Sequence, residues 1–194
     1  MSSTATYAGQ NPRVLADILP GALTRDALLV VGAAGLVGLL AQLSIHLSFT
    51  PVPITGQTLG VLLAGTALGW RRGALSMVLY AVAGVSGVPW FADHQSGYVG
   101  ASFGYVIGFI LCSALCGYLA EHGTDRSVVK SVPAMVAGEV VMYGAGVLWL
   151  AVDLHVGASK AISLGLTPFI AGDAIKASAV ALLLPGAWRV ADRR

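Results

Sequence analysis

Charged side chains are scarce in this sequence. Only 10% of its 194 residues are Asp, Glu, Lys or Arg, against roughly 25% in soluble domains, while 56% are hydrophobic and the mean hydropathy is +0.80. A water-soluble globular domain is excluded. The composition is that of an integral membrane protein, with length for about six spans of roughly 20 residues each. A net charge of +2 is too small to imply a nucleic-acid partner. Cysteine is confined to Cys112 and Cys116, four apart in one apolar stretch. A bridge between adjacent turns of one helix constrains little, so both read as small apolar fillers. The histidines (His46, His94, His122, His155) are scattered, and no His/Cys/carboxylate cluster suggests a metal or any other cofactor. No G-x-x-x-x-G-K-[ST] loop is present for ATP, and the run Gly84–Gly87 lacks the pattern of a hydrolase elbow. An enzyme is therefore not expected, and any transport must draw on a gradient or on another subunit.

What the sequence has in abundance is apolar segments broken by short irregular ones. Residues 1–26 read as a cytoplasmic N-terminal segment: Met1–Gln10 as disordered, Asn11–Pro20 equally as a surface helix or a linker. Residues 27–187 read as an all-α transmembrane domain of six helices, with spans at about 27–47, 58–70, 73–88, 101–120, 132–154 and 167–187. Residues 188–194 form a basic cytoplasmic tail. The second span is short, which suggests that part of it is re-entrant or shielded by protein. In the first span, Ala34 and Gly38 form a small-xxx-small pair, suited either to internal packing or to docking a partner subunit. Two segments resist helix formation: Thr50–Gln57, with two prolines, and Pro89–Gly100.

Orientation follows from the basic residues. Six spans put both termini on one side, which then holds nine of the eleven Lys and Arg: Arg13, Arg25, Arg71, Arg72, Arg126, Lys130, Arg189, Arg193 and Arg194. Only Lys160 lies in the opposite loops, and Lys176 is inside a span. The positive-inside rule makes that side cytoplasmic.

The last span carries two charges. Thr167 suits an N-cap and Pro168 the first helical position, so the helix is expected from there. Asp173 and Lys176, three apart, share one face of it. A charge near a bilayer centre costs roughly 2.5–3.5 kcal/mol and is usually paired or functional. At 1.5 Å per residue they lie about 9 and 13 Å below the outer start of the helix. Both irregular segments face the same side, which suggests an outward-facing pocket with the charged pair as its floor. A purely structural ion pair is the alternative. Trp90 and Phe91 read equally as interfacial anchors or as cover for a ligand, and Gln57 as a loop brace or a ligand contact. Glu139, about 10 Å above the inner face by the same rise, is left outside the ligand site.

Four motifs in order carry a resemblance. Thr50–Ser76 (TPVPITGQTLGVLLAGTALGWRRGALS), Val85–Phe91 (VSGVPWF), Tyr143–Leu150 (YGAGVLWL) and Pro168–Lys176 (PFIAGDAIK) together resemble the BioY family, the biotin-specific substrate-binding (S) components of energy-coupling-factor (ECF) transporters. The resemblance implies a six-helix protein that binds biotin from outside. It also implies partners: a transmembrane coupling subunit and two cytoplasmic ATPases. Biotin offers a ureido group, a thioether ring and a carboxylate. Asp173 accepts from ureido N–H groups, Lys176 donates to a carbonyl or carboxylate, Trp90 and Phe91 cover the ring, and Tyr98 or Gln57 adds a hydrogen bond. One departure stands out. Where the family often has G-P-T-G-G-Y entering the fourth helix, this chain reads Gly100–Tyr105 as GASFGY, so Phe103 is expected to narrow or reshape the pocket mouth. A stand-alone secondary transporter or channel for another small solute is the alternative function.

Overall fold

The structure is a computed structural model, and it describes residues 13–19, 21 and 23–191. The expected disorder of Met1–Gln10 and the tail residues Arg193 and Arg194 lie outside the described residues. Among the described residues, seven α-helices form the body: α1 Leu23–Ala41, α2 Gln57–Leu68, α3 Trp70–Val85, α4 Phe103–Glu121, α5 Val128–Asp153, α6 Ala158–Gly165 and α7 Ile170–Ala191. Between α1 and α2 a two-stranded antiparallel hairpin pairs β1 (Ser44–Ile45) with β2 (Ile54–Thr55), Ser44 opposite Thr55.

Among the described residues, four stretches are long and apolar enough to cross a membrane: α1, Gly100–Glu121, α5 and α7. The other two expected spans are shorter. α2 has 12 residues and α3 has 16, about 18 and 24 Å at 1.5 Å per residue. Nine of the 12 residues of α2 are buried, so this short helix is shielded by protein on nearly every side. The break between α2 and α3 falls at Gly69, whose φ of 84° lies in the region open to glycine.

α4 is the hub. A Cβ on Gly65 of α2 would stand 2.5 Å from the Ser113 carbonyl oxygen, and one on Gly108 would stand 2.7 Å from that of Met142. Backbone therefore meets backbone between α2 and α4 and between α4 and α5. In lipid, where burial of apolar surface drives little association between helices, such close packing supplies the attraction. Tyr80, Met77, Met135, Val61 and Leu62 fill the interior.

Several helix ends differ from expectation: α1 and α5 each begin four residues early, at Leu23 and Val128, and α7 runs on to Ala191, into the expected tail. The first span, expected to reach residue 47, stops at Ala41. The Gln42 side chain turns back and donates to the carbonyls of Gly38 (2.9 Å), Phe91 (3.1 Å) and Trp90 (3.3 Å), and its Oε1 accepts from the His94 N–H at 3.0 Å. The last helix begins at Ile170, not Thr167. Residues 166–169 form a turn in which the Phe169 carbonyl accepts the Asp173 N–H at 2.9 Å.

The two ends of the bundle are chemically different. At one, Arg72 pairs with Asp17 (2.8 Å) and Asp26 (3.1 Å). There Trp188 of α7 also donates its indole N–H to Asp125 at 2.6 Å, beneath the Arg126 guanidinium. The hairpin, the segment 86–102 and α6 gather at the other.

Candidate functional site

A cavity of about 150 Å³ opens at the hairpin end, walled by the hairpin, the segment 91–102 and the ends of α2, α4, α5 and α7. Its charged floor is Asp173, only 3% exposed. Because α7 starts at Ile170, Asp173 lies in the first helical turn, where the helix dipole favours a negative charge. Asp173 Oδ1 accepts from Lys176 Nζ at 2.7 Å, and Oδ2 accepts from the Tyr143 hydroxyl. Lys176 Nζ also donates to the Thr55 carbonyl at 2.6 Å. Both charges are thus paired and hydrogen-bonded, as burial requires.

Gln57, the first residue of α2, lines the same cavity with both ends of its amide engaged. Its Nε2 donates to the Tyr80 hydroxyl at 2.7 Å and its Oε1 accepts from the Thr55 hydroxyl at 2.7 Å. Phe91 lines the wall and is 2% exposed, its ring edge-on to Tyr80 at 5.3 Å. The hairpin and the 91–97 segment are clasped together by Asp93, which accepts from the Ser44 hydroxyl and pairs with His46 at 2.9 Å.

Other expected residues stand elsewhere. Trp90 is a layer behind the wall: it stacks on Tyr80, donates its indole N–H to the Tyr80 carbonyl at 2.9 Å, and packs on Gly38. Tyr98 is 62% exposed and donates to Asp153 of α5, outside the cavity. Phe103 packs between Tyr98 and Trp149 rather than on the cavity wall, so it does not narrow the mouth. Ala34 and Gly38 are buried, and a Cβ on Gly38 would meet the Trp90 side chain at 3.1 Å. Of the two readings of that pair, internal packing is the one this geometry satisfies; it presents no free face for a partner.

Glu139 also needs correction. It lies one helical turn from Tyr143, the residue that binds Asp173, so it is close to the charged pair rather than far from it. The expected depth was too shallow because α5 begins at Val128 rather than at 132, which carries Glu139 about 16 Å from the inner end of its helix at 1.5 Å per residue.

Several wall residues were not singled out in the sequence: Tyr143, Tyr105, Phe169 and the Thr55 carbonyl. Tyr143 and Tyr105 carried a usable signal. A tyrosine inside an apolar membrane helix needs a partner for its hydroxyl, and Tyr105 finds the Gly165 carbonyl at 2.6 Å. The Thr55 carbonyl had none, since a backbone group is invisible in residue type.

Comparison with known proteins gives a consistent result. A sequence model described as the BioY family matches residues 8–193. A protein of Rhizobium etli named biotin transporter BioY is 37% identical over 171 residues, covering 82% of this chain and 91% of that protein. A Thermotoga maritima protein of the same name is 38% identical over 160 residues, covering 81% and 87%. The fold matches a crystal structure of the S-component for biotin from an ECF-type ABC transporter. Its TM-score is 0.77 at 23% identity, over 86% of this chain and 92% of the other.

Proposed function

This chain belongs to the BioY family, and from that premise we propose that it is a biotin-binding S component of an ECF-type importer. It captures the vitamin and does not transform it. The observation that carries the reading is the buried Asp173–Lys176 pair at the floor of the cavity, tied to the Thr55 carbonyl. Carboxylate, ammonium and aromatic wall together suit a ligand with ureido donors, a carbonyl and an apolar ring. Asp173, Lys176, Gln57 and Phe91 make the contacts. Trp90 backs the wall, and Tyr98 acts only from outside.

The finer picture follows from the same reading. All six of α1–α5 and α7 cross the membrane, the short α2 within protein cover. Both termini are cytoplasmic, and the cavity opens outward. Biotin passes inward with the help of a transmembrane coupling subunit and two ATPases, which supply the energy this chain has no phosphate loop to harvest.

A thermal-stability screen of vitamins against the purified protein tests this. A ligand at a hundredfold its dissociation constant adds about 2.7 kcal/mol to the folded state, so biotin is expected to raise the midpoint and other vitamins are not. A screen in which biotin has no effect overturns the proposal. Biotin uptake by vesicles holding this chain alone would favour the stand-alone transporter instead.

A further inference from the structure

A second concavity of about 520 Å³ runs between α5 and α7 on the flank of the bundle. Its lining is largely apolar: Val132, Val136, Val140, Val147 and Ile170 among others. Glu139 is built into it. The side chain belongs to a residue 9% exposed, and its Oε1 has no hydrogen-bond partner. A buried carboxyl oxygen left bare is costly, and an ionisable residue at such a place in a membrane helix is a mark of function. Lipid headgroups do not reach it, because Glu139 lies near the middle of the 26-residue α5. A proton taken up by the carboxyl removes the charge whose burial is costly.

The groove and the ligand cavity share a wall. Asp173 and Tyr143 line both, and the hydrogen bond between them is the partition. The charged and titratable groups around Glu139 come from three helices. α7 brings Asp173 and Lys176, both near enough to act on it. α5 itself brings Tyr143, one turn away. α4 brings Cys112 and Cys116, whose sulfurs pack against Gly138 next to it. α6 and the turn after it lend the groove only apolar side chains, Ile162 and Leu166.

We propose that Glu139 is a proton-exchanging site linked to the ligand cavity through Asp173 and Tyr143. A ligand that draws hydrogen bonds from Asp173 or Lys176 alters the charge facing Glu139, so its proton occupancy and ligand affinity depend on one another. The ligand named in the test, biotin, rests on the function proposed above; the proton site itself does not.

Two measurements test it on the full chain in detergent. The first is biotin titration calorimetry in buffers of different ionisation enthalpy, which counts protons exchanged per ligand bound. Wild type is expected to exchange protons and Glu139→Gln to exchange none, with an affinity that changes with pH in the first and stays flat in the second. Equal exchange in both proteins, or none in wild type, overturns the linkage. The second needs no biotin: labelling with the lipid-soluble reagent dicyclohexylcarbodiimide, which attacks protonated carboxyls, read by peptide mass spectrometry. The adduct is expected on Glu139 and to fade as pH rises; no adduct there at any pH overturns the proton site. If biotin fails to bind wild type while Glu139 is labelled in this way, the function is wrong and the proton site stands.

Discussion

Lys176 reaches the carbonyl of Thr55 at 2.6 Å, across 121 positions of sequence. This one contact fastens the first turns of α7 to the hairpin that walls the cavity. The same ammonium pairs with Asp173 at 2.7 Å, so Lys176 is shared between holding the wall and balancing the floor. Lys176→Met leaves the buried Asp173 without its cation, and Asp173→Asn leaves the half-buried Lys176 without its counter-charge. Each is expected to weaken biotin binding by roughly 2–5 kcal/mol, since truncating one member of a buried charge pair typically costs that much. Calorimetric titration of the two variants measures it, and wild-type affinity in both would remove the pair from the site.

Tyr143 and Tyr98 make opposite predictions. Tyr143→Phe strips Asp173 Oδ2 of its donor in a buried setting, a loss of about 1–3 kcal/mol, and biotin affinity is expected to fall accordingly. Tyr98→Phe removes only a bond to Asp153 on the exposed side, and affinity is expected to be unchanged. Side-by-side binding curves decide; equal effects would mean that the cavity wall has been drawn in the wrong place.

Close helix packing gives a stability test. A methyl group on Gly65 would lie 2.5 Å from the Ser113 carbonyl oxygen, a backbone atom that cannot swing aside. Gly65→Ala is expected to cost about 1–3 kcal/mol through forced separation of α2 and α4. Gly32 of α1 has nothing within 4 Å of the same position, and Gly32→Ala is expected to be neutral or to stabilise by up to about 1 kcal/mol through helix propensity. Thermal midpoints in one detergent provide the comparison.

Asp125 supplies a pH dependence outside the spans. Burial pushes its carboxyl above the ordinary value of 3.8, opposed in part by the Trp188 indole and the Arg126 guanidinium. The folded chain therefore holds this proton at a pH where the unfolded chain has released it. The stabilising contribution is complete below the unfolded value and is lost as pH rises through the folded one. Asp125→Asn stays neutral at all pH and keeps an acceptor for Trp188. Its midpoint is expected to exceed that of wild type at neutral pH, with the gap closing as the solution is acidified. A gap that does not vary with pH would assign the difference to packing.

The helical, membrane-embedded character of this chain was legible in residue type alone, because lipid forces backbone hydrogen bonds to be satisfied within each segment and so ties composition to structure locally. The Asp173–Lys176 pair was legible for the same reason: three-residue spacing on a helix fixes adjacency. Gln57 and Phe91 were reachable from the broken segments that contain them. Where a helix begins or ends was harder to read. Thr167 and Pro168 have the chemistry of a helix start, yet Thr167 is taken into a turn that closes on the Ile162 carbonyl and the helix starts at Ile170, while the Gln42 side chain bound the carbonyls of a segment some fifty residues away.

Composition and spacing thus determined the class of molecule, the positions of most helices and the charged floor, since each depends on neighbours a few residues apart. Tertiary structure decided which aromatic residues face the cavity, that Ala34 and Gly38 pack inward, and that Glu139 lies beside Asp173. Those outcomes depend on how far one helix is shifted and rotated against another. The contacts that set such offsets, Lys176 to Thr55 and Tyr143 to Asp173, join residues whose separation along the chain carries no trace of their meeting.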